Sequence, residues 1–416
     1  MTRPVDVVVV GGGVIGLCTA LCLVEAGRSV RVLEARTVGS GSSHGNCGTL
    51  TPSHAAPLAA PGAVAKALRW MLVPDAPFYV APRFDPRLWR WLFGFALRCN
   101  ARDWRRALVA RAAILNDSIG AYGDWIARHA PGAEYGAQGT DYVYRTAAAF
   151  DRTAAALEVL AGVGVASEIL AGSDYVRDDP AFKPVVHGAI RFPGDAHLRP
   201  DRYVAGLADS LRAMGGVIEE GWEVDGVAED ADGVVGRGSR GTVRARDVVI
   251  ATGARSPTLV RSAGLGTLPV QPGKGYSITY DRPALPPRRA VSLQEPAVCV
   301  TLWGSGYRLG STMEFSGYDT TLNRRRLDAL ERGAAEFLRE PVGPVKREEW
   351  YGWRPVSIDD VPIIGRVPGR RHAWLATGHG MLGVSMSPST GQLVADLVCG
   401  REPQIDPAPY SPSRFR

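Results

Sequence analysis

A glycine-rich turn between an apolar strand and an apolar helix is the feature that most restricts the fold of this chain. Residues 5–10 (VDVVVV) predict a buried strand, residues 13–26 predict a helix that ends at Gly27, and residues 29–34 predict a second strand. Such a compact strand–helix–strand unit favours parallel pairing of the two strands, because a crossover helix joins them. The sequence therefore predicts an α/β domain that includes these residues.

The turn carries the motif Gly11-x-Gly13-x-x-Gly16. The first glycine permits a tight turn, the second lets a pyrophosphate approach the backbone, and the third lets the helix close on the strand. Free N–H groups at the helix start, next to Val14 and Ile15, favour an anion. The motif predicts a dinucleotide site. The alternative is an ordinary strand–helix–strand unit whose glycines serve only the turn.

The acid at the end of the second strand refines this prediction. Glu34, followed by Ala35, is placed to accept hydrogen bonds from a ribose 2′-hydroxyl. A carboxylate there disfavours the 2′-phosphate of NADP. This unit alone does not separate NAD from FAD.

Composition and charge exclude several other classes of protein. The 416 residues are 45% hydrophobic and 22% charged, which is ordinary globular usage and is compatible with two or three domains. The net charge is +6, and the segment from Lys66 to Arg106 holds nine basic and three acidic residues. Because the rest of the chain is balanced, a general nucleic-acid-binding protein is not expected.

Cysteines and histidines give no sign of a disulfide scaffold or a metal site. The six cysteines form no C-x-x-C pair, and Cys18 and Cys22 share a helix face, where small core residues are expected. This usage suits a reducing compartment. Residues 7–24 lack charges, but glycines interrupt them after one short strand, so a membrane span is not expected, and no cleavable signal is visible. We expect a cytoplasmic protein.

The remaining pattern predicts further helices and strands. Helices are expected at 107–130, 153–160, 199–214, 321–339 and 387–399, and strands at 217–224, 233–245 (a hairpin), 247–251 and several times within 271–311.

Later segments resemble the FAD motifs of the D-amino acid oxidase superfamily, which includes glycine oxidase and sarcosine oxidase. The matching blocks are Thr252-Gly253 after the strand at 247–251, Trp350–Pro355 leading into Asp359–Gly365, Thr377–Gly380, Gly383 and Thr390–Gln392. Within the superfamily the chain is most similar to the small subunits of bacterial D-amino acid dehydrogenases, through residues 51–57, 60–62, 66–67, 70–71 and 272–277. Two residues depart from the dehydrogenase pattern. His44 gives the loop at 43–48 a partial likeness to the sarcosine oxidase loop, and His54 stands where a tyrosine is common.

The resemblance implies a fold and a division into domains. It implies a Rossmann-like FAD-binding domain of the glutathione-reductase type and an interleaved α+β substrate domain built on a mostly antiparallel sheet. The FAD-binding domain is expected to comprise residues 1–55, 196–262 and 347–416, and the substrate domain residues 56–195 and 263–346.

The resemblance also implies non-covalent FAD, although a covalent link through Cys47, close to the expected flavin ring, is an alternative. The expected FAD-binding residues are Gly11, Gly13, Val14, Ile15, Gly16, Glu34, Ala35, Ser42, Ser43, His44, Asn46, Cys47, Gly48, Val224, Thr252, Gly253, Gly378, His379, Gly380, Gly383 and Thr390.

The implied reaction is the oxidative deamination of small amino acids, D-amino acids first and D-proline types among them. A hydride passes from Cα to flavin N5, and water hydrolyses the imino acid to a 2-oxo acid and ammonia. A quinone or another acceptor would then take the electrons. One alternative is an amine oxidase of the glycine or sarcosine type that uses O₂, and another is an FAD subunit of a hetero-oligomeric dehydrogenase.

Four residues are expected to act on the substrate. Arg354 is the candidate for the substrate carboxylate, because a guanidinium matches a carboxylate at two points and the family's Gly-x-Arg-Pro motif does this. The alternative is a structural arginine paired with Asp359 or Asp360. The other three are Tyr276, which would line the pocket, His54 and Lys274, for which a structural role is the alternative.

The segment from Val64 to Trp104 carries tryptophan, phenylalanine, leucine and arginine together. This composition suits a peripheral contact with anionic lipid at the inner face of the cell membrane, which would bring the enzyme to membrane quinone. The alternative is a helical part of the substrate domain whose aromatic side chains pack inward and whose arginines are solvated.

Overall fold

The computed structural model describes residues 5–71 and 78–416. Predictions that involve residues 1–4, in the first domain, or residues 72–77, within the segment from Val64 to Trp104, lie outside the described residues.

The described chain contains strands and helices along its whole length. The strands are β1 (Val5–Val10), β2 (Val30–Leu33), β3 (Thr49–Leu50), β4 (Phe78–Val80), β5 (Thr140–Tyr144), β6 (Glu168–Ala171), β7 (Gly188–Phe192), β8 (Ala196–His197), β9 (Val217–Glu219), β10 (Val224–Glu229), β11 (Val234–Gly238), β12 (Gly241–Ile250), β13 (Val270–Tyr280), β14 (Ala290–Leu293), β15 (Val298–Trp303), β16 (Gly306–Phe315), β17 (Lys346–Ser357), β18 (Ile363–Arg366) and β19 (Ala373–Thr377). The α-helices are α1 (Val14–Glu25), α2 (Ala63–Met71), α3 (Pro86–Arg98), α4 (Ala101–His129), α5 (Ala147–Ala154), α6 (Leu157–Ala161), α7 (Gly172–Asp178), α8 (Pro200–Ala213), α9 (Ser256–Ser262), α10 (Arg324–Ala335) and α11 (Ser387–Cys399).

The first sheet is the predicted Rossmann-like one. Its strand order is β10-β11-β12-β1-β2-β9, with β19 on β12 and β18 on β19. The pairs β12·β1, β1·β2, β2·β9 and β12·β19 are parallel, and the β10–β11–β12 meander and β18 are antiparallel additions. Val7 to Val10 are buried because helices and the meander cover both faces of the sheet.

The glycine turn has the backbone that its sequence predicts. Gly11 has φ +113°, and a Cβ there would lie 2.6 Å from the carbonyl oxygen of Ala251. A Cβ on Gly16 would overlap the carbonyl of Gly11. Larger side chains at these positions would therefore break the contact between β1, α1 and β12.

The second sheet is mostly antiparallel, as expected. Its order is β17-β13-β16-β15-β14-β5-β7-β6, with β4 on β16, and only β14·β5 and β16·β4 are parallel. One face packs on α10 and α7 around an apolar cluster that includes Tyr276, Ile278 and Leu330. The other face, which we call the inner face, meets the loop at residues 42–48.

Two elements depart from the predicted domain boundaries. β17 belongs to the second sheet, although the third FAD-binding segment was expected to begin at residue 347. The buried residues of α4 share a core cluster with α1, α8 and α11, although α4 falls in the expected substrate domain. Both differences arise because strands and helices from the two domains are interleaved at the interface.

Most predicted helices form, with shifted ends. α4 begins at Ala101, before the expected residue 107, because the Asn100 side chain accepts a hydrogen bond from the N–H of Asp103 and caps the helix. The helix expected at 153–160 is instead two short helices, α5 and α6. Cys18 and Cys22 lie in the core, as predicted. Among the described residues, no helix combines the length and apolarity that crossing a bilayer requires, and no group of side chains has the composition of a metal site.

Candidate active site

The adenosine end of the predicted site is built at the carboxyl ends of β1 and β2. The N–H of Gly12 donates to the Glu34 carboxylate (2.7 Å), which also accepts from the N–H of Arg36 (2.9 Å). Ala35 follows and is exposed. The segment between β9 and β10 also contacts Glu34, because the N–H of Trp222 donates to the carbonyl of Glu34. Val224 begins β10 two residues later. These contacts fix the position of Glu34 at the end of β2.

The phosphate end is a cradle around the first turn of α1. The Ser43 hydroxyl accepts a hydrogen bond from the N–H of Val14 (3.0 Å), and a Cβ on Gly13 would lie 3.3 Å from that hydroxyl. The amides of Ile15 and Gly16 belong to the first turn of a helix and have no intrahelical acceptor. The cradle fits a pyrophosphate, because it offers amide donors and has no side chain on Gly13.

The loop at 42–48 connects this cradle to the inner face of the second sheet. Its shape is fixed internally by Asn46, whose amide donates to the carbonyls of Ser42 and Ser43 (both 3.1 Å) and accepts from the N–H of Gly48 (2.8 Å). The Ser42 hydroxyl donates to the carbonyl of Trp353 on β17. The loop is therefore in contact with both domains.

Three side chains of the inner face complete this contact. Ser277 donates to the carbonyl of Gly45 (2.6 Å), and Arg308, which is 1% exposed, donates to the carbonyls of His44 (3.3 Å) and Asn46 (2.8 Å). Trp350 of β17 lies against Gly45, where a Cβ would overlap its indole ring.

The His44 side chain takes part in the same contact. Its ring nitrogen lies 2.7 Å from the Glu348 carboxylate, and this hydrogen bond raises the pKa of the His44 imidazole. The ring is half-exposed and contacts β17. The predicted cofactor residue His44 is thus tied to the second sheet.

Arg354 extends over the same inner face. Its guanidinium lies over Gly275, where a Cβ would overlap it, and donates to the carbonyl of Thr312 (2.6 Å). The arginine is half-buried, and burial lowers the pKa of its guanidinium.

The structural alternative for Arg354 is not observed. Asp359 pairs instead with Arg414 (2.8 Å) and Asp360 with Arg111 (2.5 Å). Within residues 5–71 and 78–416, no carboxylate forms an ion pair with Arg354. A half-buried guanidinium with spare donors and no anion is suited to bind one from outside.

Lys274 and Tyr276 lie on the opposite face of the second sheet. In β13 they alternate with Gly273 and Gly275, which lie on the inner face beneath Arg354. The Lys274 ammonium is buried and pairs with Asp319 (3.0 Å). The structural alternative for Lys274 is therefore the one observed.

Tyr276 shares this placement. It is 1% exposed, belongs to the apolar cluster beneath α10, and its hydroxyl approaches Glu314 (3.4 Å). The expectation that Tyr276 and Lys274 act on the substrate is therefore corrected, because the pleat of β13 turns both away from the inner face.

His54 joins a buried hydrogen-bonded chain. Its ring lies 2.7 Å from the Tyr142 hydroxyl, which bonds to Ser53 (3.0 Å), and Ser53 donates to Asp195 (2.6 Å). Burial lowers the pKa of His54 to about 4 and raises that of Asp195 to about 7. His54 is therefore a neutral imidazole at physiological pH.

The position of Tyr142 places this chain on the same face of the second sheet as Arg354. Cross-strand pairs run from Tyr142 through Ser292, Cys299 and Gly310 to Ser277, and paired residues share a face. His54 and Arg354 therefore border the same inner face.

The Thr377–Gly380 motif near the carboxyl terminus lies close to Arg354. Gly378 and Gly380 have positive φ (+76° and +55°), and the N–H of Gly380 donates to the carbonyl of Pro355, next to Arg354. The His379 ring bonds to the Thr390 hydroxyl (3.0 Å) in the first turn of α11, and burial lowers the pKa of His379 to about 3.

The two ends of the chain meet through their helices. A Cβ on Gly391 of α11 would lie 2.6 Å from the carbonyl of Cys18 of α1. Gly383 lies beside His379, and Thr252 and Gly253 lie between β1 and β19, where Gly253 accepts from Thr377 (3.0 Å). The helices that follow the glycine turn and the Thr377–Gly380 motif are thus packed against each other.

The sequence analysis missed residues that hold this site together. Arg111 of α4 is buried and donates to the carbonyls of His54 (2.8 Å) and Ala55 (2.9 Å) as well as to Asp360. Its helical spacing from the buried Leu108 and Leu115 was a usable signal, because it puts Arg111 on the apolar face of α4. Arg308, Tyr142 and Asp195 carried no comparable signal.

Comparison with known proteins agrees with the fold. The family model described as DAO, FAD dependent oxidoreductase, matches residues 6–397. Curated relatives include the D-amino acid dehydrogenases of Xanthobacter autotrophicus (32% identical, covering 98% of this chain and 99% of that one) and Methylobacterium radiotolerans (34%, covering 96% and 97%). Among solved structures, the glycine oxidase from Geobacillus kaustophilus superposes with a TM-score of 0.79 at 25% identity, covering 99% of this chain and 98% of that one.

Proposed function

This chain belongs to the DAO family of FAD-dependent oxidoreductases, and we propose that it is a D-amino acid dehydrogenase acting on small D-amino acids. Full-length similarity to curated D-amino acid dehydrogenases supports the substrate class. FAD, when bound, supplies the acceptor for the hydride that leaves Cα. The resulting imino acid is hydrolysed by water to a 2-oxo acid and ammonia.

The observation that carries the proposal is the guanidinium of Arg354, which forms no ion pair with any described residue. We propose that it binds the substrate carboxylate as a two-point hydrogen-bonded pair, which orients Cα over the inner face. Gly275 leaves the space that this side chain needs, and the bond to Thr312 keeps part of the guanidinium fixed. The other N–H groups of the guanidinium have no hydrogen-bond acceptor among the described residues.

The amine must lose its proton before the hydride leaves, because the nitrogen lone pair drives that step. An apolar, water-poor pocket lowers the pKa of an amine and does this without a strong base. His54 and His379 suit this role as neutral neighbours, since both have depressed pKa values and place no positive charge against the amine. We propose that His54, held by Tyr142, lines the amine side of the substrate pocket.

We propose that FAD is bound non-covalently by the predicted residues. Ser43, Gly13 and the first turn of α1 would hold the pyrophosphate, and Glu34 the ribose. The first turn of α11 at Thr390 would direct N–H groups towards the flavin and stabilise negative charge on its reduced form.

The purified protein should be yellow, and its flavin absorption should bleach without oxygen when a small D-amino acid is added. Spectrophotometry across paired D- and L-amino acids checks this, with the L-enantiomer of each pair as the control. Bleaching by the L-enantiomers alone, or a folded protein that takes up no added FAD, would contradict the proposal.

A second candidate is an oxidase of the glycine type, favoured by the structural similarity to glycine oxidase. The two candidates differ in what reoxidises the flavin. Admission of air to the bleached enzyme restores the colour quickly and releases hydrogen peroxide if it is an oxidase. A dehydrogenase regains its colour fast only when a quinone is added.

We propose that the route to quinone is a peripheral membrane contact through α3. This helix carries apolar side chains both on its buried side and on its exposed side. Trp91 packs inward and donates to the carbonyl of Val356, close to Arg354, whereas Trp89 (57% exposed), Phe93 (68%) and Leu97 (62%) form an outward row at helical spacing.

The surroundings of this row are basic. Exposed arginines flank it, namely Arg87, Arg90, Arg102, Arg105 and Arg106, and Phe84 before the helix is 93% exposed. A cationic rim around exposed aromatic side chains suits the interface of an anionic bilayer. The alternative, in which the aromatic side chains of this segment pack inward, holds for Trp91 but not for Trp89.

The protein should sediment with vesicles that contain anionic phospholipid at low salt, and less at high salt, because screening weakens the arginine contacts. Serine at Trp89 and Phe93 together should abolish this binding. Ile169→Ser, which removes an equally exposed apolar side chain from β6, is the matched control. No sedimentation of the unaltered protein at low salt would refute the membrane contact.

A further inference from the structure

Two cysteines from different domains lie side by side in this site. Cys47, in the 42–48 loop, has its sulfur above Gly310 of β16, where a Cβ would be 2.6 Å from it. Cys299 of β15 is the cross-strand partner of Gly310 on the same face of the sheet. Because glycine at position 310 has no side chain, there is room for Cys47 next to Cys299.

Both thiols thus lie on the inner face over the adjacent strands β15 and β16, and both residues are half-buried. A hydrogen bond from Cys299 lowers the pKa of the Cys47 thiol, and the charges of Arg354 and Arg308 act in the same direction against the opposing effect of burial. The same bond, together with burial, raises the pKa of Cys299. Cys47 is thus the nucleophilic member of the pair.

The other cysteines lack these features. Cys18 and Cys22 are fully buried in α1, and burial raises the pKa of both thiols. Cys99 donates to the carbonyl of Phe95 (3.3 Å), and burial raises its pKa as well. Cys399 accepts from the Arg28 guanidinium (3.5 Å) at the carboxyl end of α11.

We propose that Cys47 and Cys299 are a reversible oxidation site, at which peroxide forms a disulfide that fastens the 42–48 loop to the second sheet. Each thiol loses one proton and one electron, and the O–O bond of the peroxide is reduced. The Cys47 thiolate attacks peroxide and becomes a sulfenic acid with release of hydroxide. The Cys299 sulfur then attacks the Cys47 sulfur and displaces water, so that two thiols and hydrogen peroxide give one disulfide and two waters.

The disulfide would act on stability and on cofactor retention. It joins residues about 250 positions apart, so it removes a large share of the conformational freedom of the unfolded chain. The loop that it fastens also carries Ser43, which contacts the start of α1. We therefore expect the oxidised holoenzyme to unfold at a higher temperature and to release FAD more slowly than the reduced one.

The test uses the FAD-loaded protein, with hydrogen peroxide as oxidant and dithiothreitol as reductant. Thiol titration should show the loss of two thiols, and peptide mapping should find Cys47 joined to Cys299. The unfolding temperature should rise and the rate of FAD release should fall, and dithiothreitol should reverse each change. None of these readouts depends on the substrate or on the proposed reaction.

Matched variants separate the pair from other cysteines. Cys47→Ser and Cys299→Ser should each abolish disulfide formation and the rise in unfolding temperature. Cys99→Ser should behave as the unaltered protein does. Because Cys47→Ser also alters a predicted FAD-binding residue, Cys299→Ser gives the decisive comparison.

Several results would overturn the proposal. They are retention of all thiols under peroxide, irreversible oxidation of Cys47 alone to a sulfinic acid, a bond between Cys47 and FAD, and a disulfide that leaves the unfolding temperature unchanged or lower.

Discussion

Arg354→Leu should raise the KM for a D-amino acid strongly and lower kcat/KM by roughly 30- to 900-fold, which corresponds to about 2–4 kcal/mol for a lost buried charge pair. The reason is that Arg354 forms no ion pair with a carboxylate among the described residues and has donors available for one from the substrate. Steady-state kinetics of the FAD-loaded variant measures the effect. FAD absorbance and circular dichroism should be unchanged, because within the described part of the chain the Arg354 side chain makes a single hydrogen bond, to Thr312.

A second variant tests the position of the guanidinium and not only its presence. Gly275→Ala keeps Arg354 but puts a methyl group where the guanidinium lies, so the arginine must move. We expect KM to rise in this variant too. Arg90→Leu, which removes an exposed arginine from α3, is the control and should leave KM unchanged. An unchanged KM in Arg354→Leu would remove this residue from carboxylate binding.

Arg111→Leu should lower the free energy of unfolding by about 3–5 kcal/mol, because it leaves the Asp360 carboxylate buried without its partner. Both side chains are 2% exposed. Burial already raises the pKa of Asp360 in spite of the nearby guanidinium. Denaturant unfolding of the FAD-loaded protein measures the loss.

The double variant Arg111→Leu/Asp360→Leu distinguishes a buried unpaired charge from a general packing defect. Removing both charges should cost less than removing Arg111 alone, since no unpaired carboxylate remains. The exposed pair Arg212–Asp209 of α8 provides the contrast, and Arg212→Leu should cost at most about 1 kcal/mol. Equal losses for Arg111→Leu and the double variant would contradict this account.

The parts of the site that depend on neighbours in sequence were predictable. Gly11, Gly13 and Gly16 act within one turn between adjacent elements, so their spacing alone indicates the backbone around them. Glu34 is positioned by the strand that follows the same helix. Local chain geometry determines both, and the second domain has little influence on them.

The parts that depend on strand pairing were not predictable. The period of two in β13 puts Lys274 and Tyr276 on one face and Gly273 and Gly275 on the other. Which of these faces meets the 42–48 loop depends on pairing with β16 and β17, far away in sequence. The sequence analysis therefore named residues from both faces as one site.

Partner choice among charged residues has the same origin. Asp359 and Asp360 follow Arg354 closely in sequence and were plausible partners for it. They pair instead with Arg414 and Arg111, which tertiary folding brings to them from other helical segments. Cys299 lies in an apolar strand, and only the fold reveals its contact with Cys47.

The interleaving of the first sheet has a consequence for biosynthesis. β1 leaves the ribosome early, yet its neighbour β12 ends at Ile250, and β19 and α11 come later still. At a translation rate of about 5–20 residues per second, the valine-rich strand β1 is made roughly ten to fifty seconds before its partner β12. The nascent chain therefore emerges with an unprotected apolar edge, and cofactor loading must follow translation.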